Sequence, residues 1–193
     1  QKRRFPNGIF MSNRNRGHNN RDASNLGWAI SELTRVSQAL RAHGMDASDL
    51  EAAATQLVEV ILPGVREDGA LGSVWNGDTG EVVTYNGDGG GFMLMGLVRY
   101  WLATGDERLK SVIDNAFKYY YESDINHFRC FGGAMDCASI DKEGIHPYFT
   151  SAKLMYEATN DSSYLDYARK AAWYFVSWLY IQNPVYDADD DLT

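Results

Sequence analysis

The feature that most restricts how this chain can fold is an internal repeat. The stretch Ala103-Thr104-Gly105-Asp106 returns as Ala158-Thr159-Asn160-Asp161, an offset of 55 residues. The same offset pairs Tyr119-Tyr120 with Tyr174-Phe175, and Tyr100-Trp101 with Met155-Tyr156. A looser copy centres on Ala42-His43-Gly44. A unit repeated at such a period must bury its apolar face against its own neighbours. Each copy reads as helix, short turn, helix, so the chain is expected to be all-α with three consecutive helical hairpins.

The two helices of a pair differ in pattern. Residues 107–122 place Leu109, Val112, Ile113, Ala116, Phe117 and Tyr120 on one stripe, opposite Lys110, Asp114 and Lys118. Residues 162–180 align Leu165, Ala168, Ala172, Phe175, Val176 and Leu179, and residues 48–62 align Leu50, Ala53, Ala54, Leu57 and Ile61. These are helices with one wet face. Ser48 and Glu51 have capping-box spacing at the start of the last of them. Residues 92–102 are apolar nearly all round, and 26–42 and 147–158 are also rich in apolar residues. A helix apolar on every side must be enclosed. An enclosed helix followed by an amphipathic one, repeated, predicts two concentric layers: inner helices walling a toroid, outer helices shielding them.

Turns within hairpins are short, at residues 43–47, 105–107 and 160–162. Connections between hairpins are long, at about 63–91 and 124–147. Long loops in a compact domain are usually functional. Because the hairpins are parallel copies, both long loops emerge at one end, each just before an inner helix. In the first, Val82-Val83-Thr84-Tyr85 reads as a short strand or hairpin arm after the turn chemistry of Gly77-Asp78-Thr79-Gly80.

The repeat also organises the acids. Adding 55 to Asp88 gives Glu143, and Gly89 becomes Gly144. Neighbouring inner helices lie ~10 Å apart, so carboxylates at their mouths can flank one substrate bond. Glycoside cleavage needs such a pair, separated by roughly 5–9.5 Å, with one acid donating a proton and the other activating water or attacking. The plainer reading makes Asp88 and Glu143 helix caps or first-turn acids. A helix dipole favours the ionised carboxylate, which suits a base or nucleophile, so Asp136 or Asp141 is the expected proton donor. Trp75, Tyr85 and Phe131 sit in these loops beside glycines, either as floors for a sugar ring or as plugs of loop onto barrel. Arg129 and Lys142 either hold a uronate carboxylate or pair with neighbouring acids. His127 and His146 are the candidate bases for chemistry other than hydrolysis.

The formal net charge is −8. Residues 1–21 carry six cations and no acid, so the remaining residues hold −14. An acidic body disfavours nucleic acid and anionic membranes as partners. The basic start, residues 1–23, is expected to be an irregular segment running over an acidic neighbour. No apolar run is long enough to span a membrane. Cys130 and Cys137 are close enough in sequence to close a small disulfide loop, but two cysteines assign no compartment. The spacing of His127, Cys130, Cys137 and His146 matches no structural zinc pattern. The tail at Asp187–Asp191 lacks the glycine and distal glutamate of a calcium loop. No metal or cofactor is expected, and residues 183–193 read as an acidic tail or linker.

A Tyr-Glu-Ala-Thr-x-Asp turn followed by Tyr-Leu-Asp-Tyr-Ala-Arg-Lys-Ala-Ala-x-Tyr, residues 156–174, resembles the hairpins of the six-hairpin glycosidase superfamily. The likeness extends over residues 24–180. It implies about half of an (α/α)6 toroid, residues 24–182, with an oligo- or polysaccharide substrate and catalytic carboxylates in the loops before inner helices: Asp88, Asp136, Asp141 and Glu143. From the loop residues themselves, the expected substrate contacts are Trp75, Tyr85, Arg129, Phe131 and His146. Related toroids serve polysaccharide lyases and sugar epimerases, and a non-catalytic helical scaffold is a third alternative. The chain departs from the superfamily in having three hairpins rather than six. Its inner helices then call for the remaining half of a barrel or a homo-oligomeric partner. Beginning at Gln1 without an initiator Met, it is expected to come from a longer protein, with any export signal outside it. A secreted or periplasmic setting is preferred to a cytoplasmic one.

Overall fold

A computed structural model describes residues 7–9, 20–87, 89–130, 140 and 142–179. Among the described residues six α-helices form three hairpins: α1 (Ala23–Ala42) with α2 (Ser48–Ile61), α3 (Gly90–Thr104) with α4 (Arg108–Ser123), and α5 (Ile145–Thr159) with α6 (Ser162–Ser177). α3 packs against both α1 and α5, while α2, α4 and α6 each back the first helix of their own hairpin. This is the expected inner and outer layering. Among the described residues no helix is long and apolar enough to cross a membrane.

The short turns are built alike, atom for atom. Thr104 Oγ1 donates to the Tyr100 carbonyl and Thr159 Oγ1 to that of Met155, closing the ends of α3 and α5. Gly105 and Asn160 then take left-handed backbone at φ 68° and 57°, their amides bonding Trp101 and Tyr156 carbonyls at 2.8 Å. Asp106 and Asp161 next accept the amides of Arg108 and Ser163 at 3.2 and 2.9 Å. In the first hairpin Gly44 is left-handed at φ 70°, and Asp46 accepts from the Ser48 amide at 3.2 Å. A side chain that takes up an orphan N–H starts each outer helix. The capping box expected of Ser48 and Glu51 does not form. Asp46 does the capping, and Glu51 instead binds Arg41, with Nη2–Oε2 at 2.7 Å.

At the inner-layer seam, α1 and α3 touch through glycines. A methyl group on Gly27 would lie 2.1 Å from the Phe92 carbonyl oxygen, and one on Gly96 would lie 2.7 Å from that of Gly27. Only the missing side chains allow so close a crossing. α3 is buried from Gly90 through Val98, as its all-round apolar pattern requires.

The outer helices meet through aromatic rings. Phe117 of α4 stacks on Tyr167 of α6 at 5.7 Å and meets Tyr164 edge-on at 5.1 Å. The Tyr164 hydroxyl bonds Asp114, which Lys110 also holds at 2.6 Å. This packing sets the rotation of α6 differently from the apolar count. Tyr164, Ala168, Ala171 and Tyr174 are buried, whereas Phe175, Val176 and Leu179 stand exposed. Tyrosines with a partner for each hydroxyl outcompete the aliphatic stripe for the inner position.

The long loops gather at the opposite end from the short turns. A three-stranded antiparallel sheet runs in the order β1 (Asn20–Asp22), β2 (Val74–Asn76), β3 (Val82–Thr84). Residues 82–84 form the anticipated arm, turning at Gly80 with φ 78°. The part of the basic segment described at 20–22 is a strand of this sheet and leads straight into α1, the Ala23 amide bonding Ser73 O at 2.9 Å. One tyrosine from an outer helix ties down each loop. Tyr120 exchanges hydrogen bonds with both the amide and carbonyl of Leu71, at 3.0 and 2.9 Å. Tyr174 accepts from the Cys130 amide at 2.8 Å. These residues are 54 apart, one fewer than the repeat, although the turns before them keep the 55-residue offset through the amides of Arg108 and Ser163. Phe175, which the repeat matches with Tyr120, is thereby released from loop-pinning.

Candidate functional site

α3 and α5 start side by side. Gly89 and Gly144 occupy their N-cap positions, as the 55-residue offset requires. A methyl group on Gly91 would sit 3.5 Å from the Gly144 carbonyl oxygen, so the two helix mouths adjoin. Glu143 stands just before α5, where the positive end of the helix favours an anion. Asp88, its repeat partner, lies outside the described residues, as do Asp136, Asp141, Phe131, Cys137 and the acidic tail.

A cavity of about 420 Å³ opens at this mouth, lined by Trp28, Phe92, Lys142, Glu143, His146 and Phe175. Its walls are apolar. Trp28 in the second turn of α1 and Phe92 in the first turn of α3 have ring centroids 6.3 Å apart, tilted by 45°. Phe92 is buried beneath, while Trp28 and Phe175 remain 41% and 39% exposed. Glu143, His146 and Lys142 are exposed at the rim. Flat apolar faces with a few convergent polar groups suit a ligand that is apolar on its faces and polar at its edges. Carboxylate and imidazole side by side can also hold or move a proton.

Of the described residues singled out from the sequence as site candidates, Lys142, Glu143 and His146 line this cavity. Trp75 is fully buried: its ring lies on Gly64 and Gly72, and its indole N–H donates to the Gly72 carbonyl at 3.0 Å. It plugs the loop onto the barrel and offers no face to a sugar. Tyr85 is half-buried on the outer side, its hydroxyl donating to Gly64 O at 2.8 Å under the Arg66 guanidinium. Its position borders a separate groove with Pro63 and Thr79. Arg129 is exposed beyond the 3-10 turn Ile125–His127, its amide bonding Asp124 O at 2.9 Å. His127 is on that same turn, beside Asp124. Burial pushes the Asp124 carboxyl above the usual carboxylate range, against the pull of Ser123, Arg129 and His127. Neither His127 nor Arg129 reaches the aromatic cavity.

Trp28, Phe92 and Phe175 are the site residues that sequence reasoning missed. Phe92 and Phe175 were counted as core on periodicity, and Trp28 fell within an apolar-rich helix. The available signal was the repeat itself, which leaves Phe175 without the loop-pinning hydroxyl of Tyr120. Among the described residues no group of three or more His, Cys, Asp and Glu could hold a metal ion. A larger groove, about 610 Å³, lies at the short-turn end between α1, α2 and α3. Its main polar groups already satisfy one another, through Arg41–Glu51 and Thr55–Tyr100, so the mouth cavity is the better candidate.

No protein-family profile matches the chain, and no curated protein matches it by sequence. Solved structures do share its fold. A D-mannose isomerase superposes with a TM-score of 0.59 at 14% identity, over 81% of this chain and 40% of that one. A cellobiose 2-epimerase from Spirochaeta thermophila gives 0.61 at 12% identity, over 81% and 43%. The cellobiose 2-epimerase of Bacillus thermoamylovorans gives 0.59 at 15%, over 85% and 47%. The fold is therefore that of the (α/α)6 toroids, matched in part. The chain spans less than half the length of the structures it resembles.

Proposed function

We propose that this chain is part of a carbohydrate-active toroid and binds a sugar at the mouth of its inner helices. The carrying observation is the cavity in which Trp28, Phe92 and Phe175 surround a rim of Glu143 and His146. A pyranose ring would lay its C–H face on Trp28 and turn its hydroxyls to Glu143 and Lys142. The reading that best suits an imidazole at this rim is isomerisation or epimerisation of a reducing sugar. His146 would take the C2 proton of the open-chain aldose, leaving an enediolate. Return of a proton to C1 completes an isomerisation, and return to the other face of C2 an epimerisation. The names of the structural neighbours, an isomerase and two epimerases, accord with this chemistry.

Glycoside hydrolysis by paired carboxylates is the second reading. It is favoured by the offset that puts Asp88 and Glu143 each one residue before a helix N-cap glycine. Incubation of the full-length protein with free aldoses in D2O, followed by proton NMR, would report loss of the C2 signal under the first reading. Release of reducing ends from a glycan would report the second. With folding intact, His146→Asn should abolish the exchange, whereas Asp88→Asn and Glu143→Gln should abolish cleavage. Sugar binding with neither turnover leaves a non-catalytic scaffold, and absence of sugar binding overturns the assignment.

A further inference from the structure

Behind the aromatic mouth, the same helix faces carry charge. Seven residues make close to two turns, so Arg99 lies on the face of α3 that Phe92 begins, Arg35 on that of Trp28, and Lys153 on that of His146. Tyr100, about 100° further round the helix, bonds Thr55 of α2 at 2.9 Å, whereas Arg99 lies beside Arg35 and Glu32 of α1. Arg35 is engaged with Glu32, Nη1 reaching both carboxylate oxygens at 2.9 and 3.0 Å, and Lys153 with Glu157 at 2.6 Å. Arg99 has no such carboxylate among the described residues. Its Nε is buried without a hydrogen-bond partner. Burial, and the Arg35 charge beside it, hold this guanidinium below its usual pKa against the pull of Glu32, yet an arginine stays charged. Of its nitrogens Nε is the one shut off from water, and the two Nη groups, without a partner among the described residues, stay open to a ligand.

We propose that Arg99, with Arg35 alongside, forms an oxyanion subsite in the hollow about two helical turns below the mouth, so that the sugar bound here carries a carboxylate or phosphate group. A planar guanidinium offers paired donors matched to either group. The identity of the carrier as a sugar rests on the function proposed above; the anion subsite itself does not.

Isothermal titration of the full chain with D-glucuronate, glucose 6-phosphate, glucose and inorganic phosphate tests this. At least one anionic sugar should bind about tenfold tighter than glucose, the worth of one charge-assisted hydrogen bond. In Arg99→Gln that ratio should fall to near one, in Arg99→Lys it should be partly retained, and in Arg35→Gln it should shrink. Circular dichroism establishes that each variant is folded. Preference for glucuronate alone identifies a carboxylate site, and for glucose 6-phosphate alone a phosphate site. Equal affinity for charged and neutral sugars, or a preference that survives Arg99→Gln, overturns the subsite while leaving the sugar reading intact. Arg99-dependent binding of inorganic phosphate with no sugar bound does the reverse. A folded protein that binds none of the four sinks both.

Discussion

The two ends of this molecule are held by different means. At the short-turn end, each hairpin closes through an aspartate, exposed at Asp46 and Asp161 and half-buried at Asp106, that accepts the amide two residues on. Those bonds are local and repeat with little change. At the long-loop end, buried hydroxyls reach across long sequence separations, Tyr120 to Leu71 and Tyr174 to Cys130. The loops they hold differ from one hairpin to the next. Charge follows the same division. Hydrogen bonds from Ser48, Arg108 and Ser163 keep the turn aspartates below the usual carboxylate range, whereas burial raises Asp124 at the loop end. Repetition marks the scaffold, and divergence marks where a ligand is met.

The largest effect is expected at the seam both ends share. Gly27→Ala puts a methyl group against the Phe92 backbone carbonyl, which cannot move aside as a side chain can, and should cost about 3 kcal/mol in urea unfolding. Next, Tyr120→Phe strands both a buried N–H and a buried C=O of Leu71 and should cost about 2–3 kcal/mol, against about 1–2 kcal/mol for Tyr174→Phe, which strands one N–H. If Asp161→Ala proves as damaging as Tyr120→Phe, the contrast between local and long-range closure fails.

Trp28→Ala sharpens the functional half of the comparison. The ring is 41% exposed, so its loss should lower sugar affinity about tenfold with little change in unfolding midpoint. Weakened stability with unchanged binding would return Trp28 to the core.

The smallest effects are those of pH. Because the folded state depresses the turn aspartates below 3.8, their contribution is complete above that value and is lost as pH falls through the lower, folded ones. The gap in melting temperature between wild type and Asp161→Ala should therefore close below about pH 4. Asp124 has the opposite sign: its raised pKa makes its contribution grow unfavourable as pH climbs past the ordinary carboxylate value, in full above the folded one. Asp124→Asn should thus leave stability at neutral pH unchanged or higher, and a clear loss would assign Asp124 a needed ionised role.

The sequence by itself determined the six helices, the two layers and the three short turns. Their signals, apolar period and an i to i+2 side-chain bond, act within a few residues, so Asn160-Asp161 reports its geometry wherever the chain goes. It also matched Gly89 with Gly144 at the helix mouths, because a repeat preserves position along a helix, but it made Asp88 and Glu143 the alternative caps where the glycines take that position. Rotation about the helix axis was decided by the tertiary structure. Which face of α6 turns inward depends on Phe117 and Asp114 of another hairpin, so Tyr174 goes under and Phe175 comes free. The tertiary structure likewise decided between the two readings of Trp75, which is the plug, and left Trp28 open at the mouth. Trp28 meets Phe92 and Phe175 from the other hairpins, so nothing in its immediate sequence says that an open mouth will receive it.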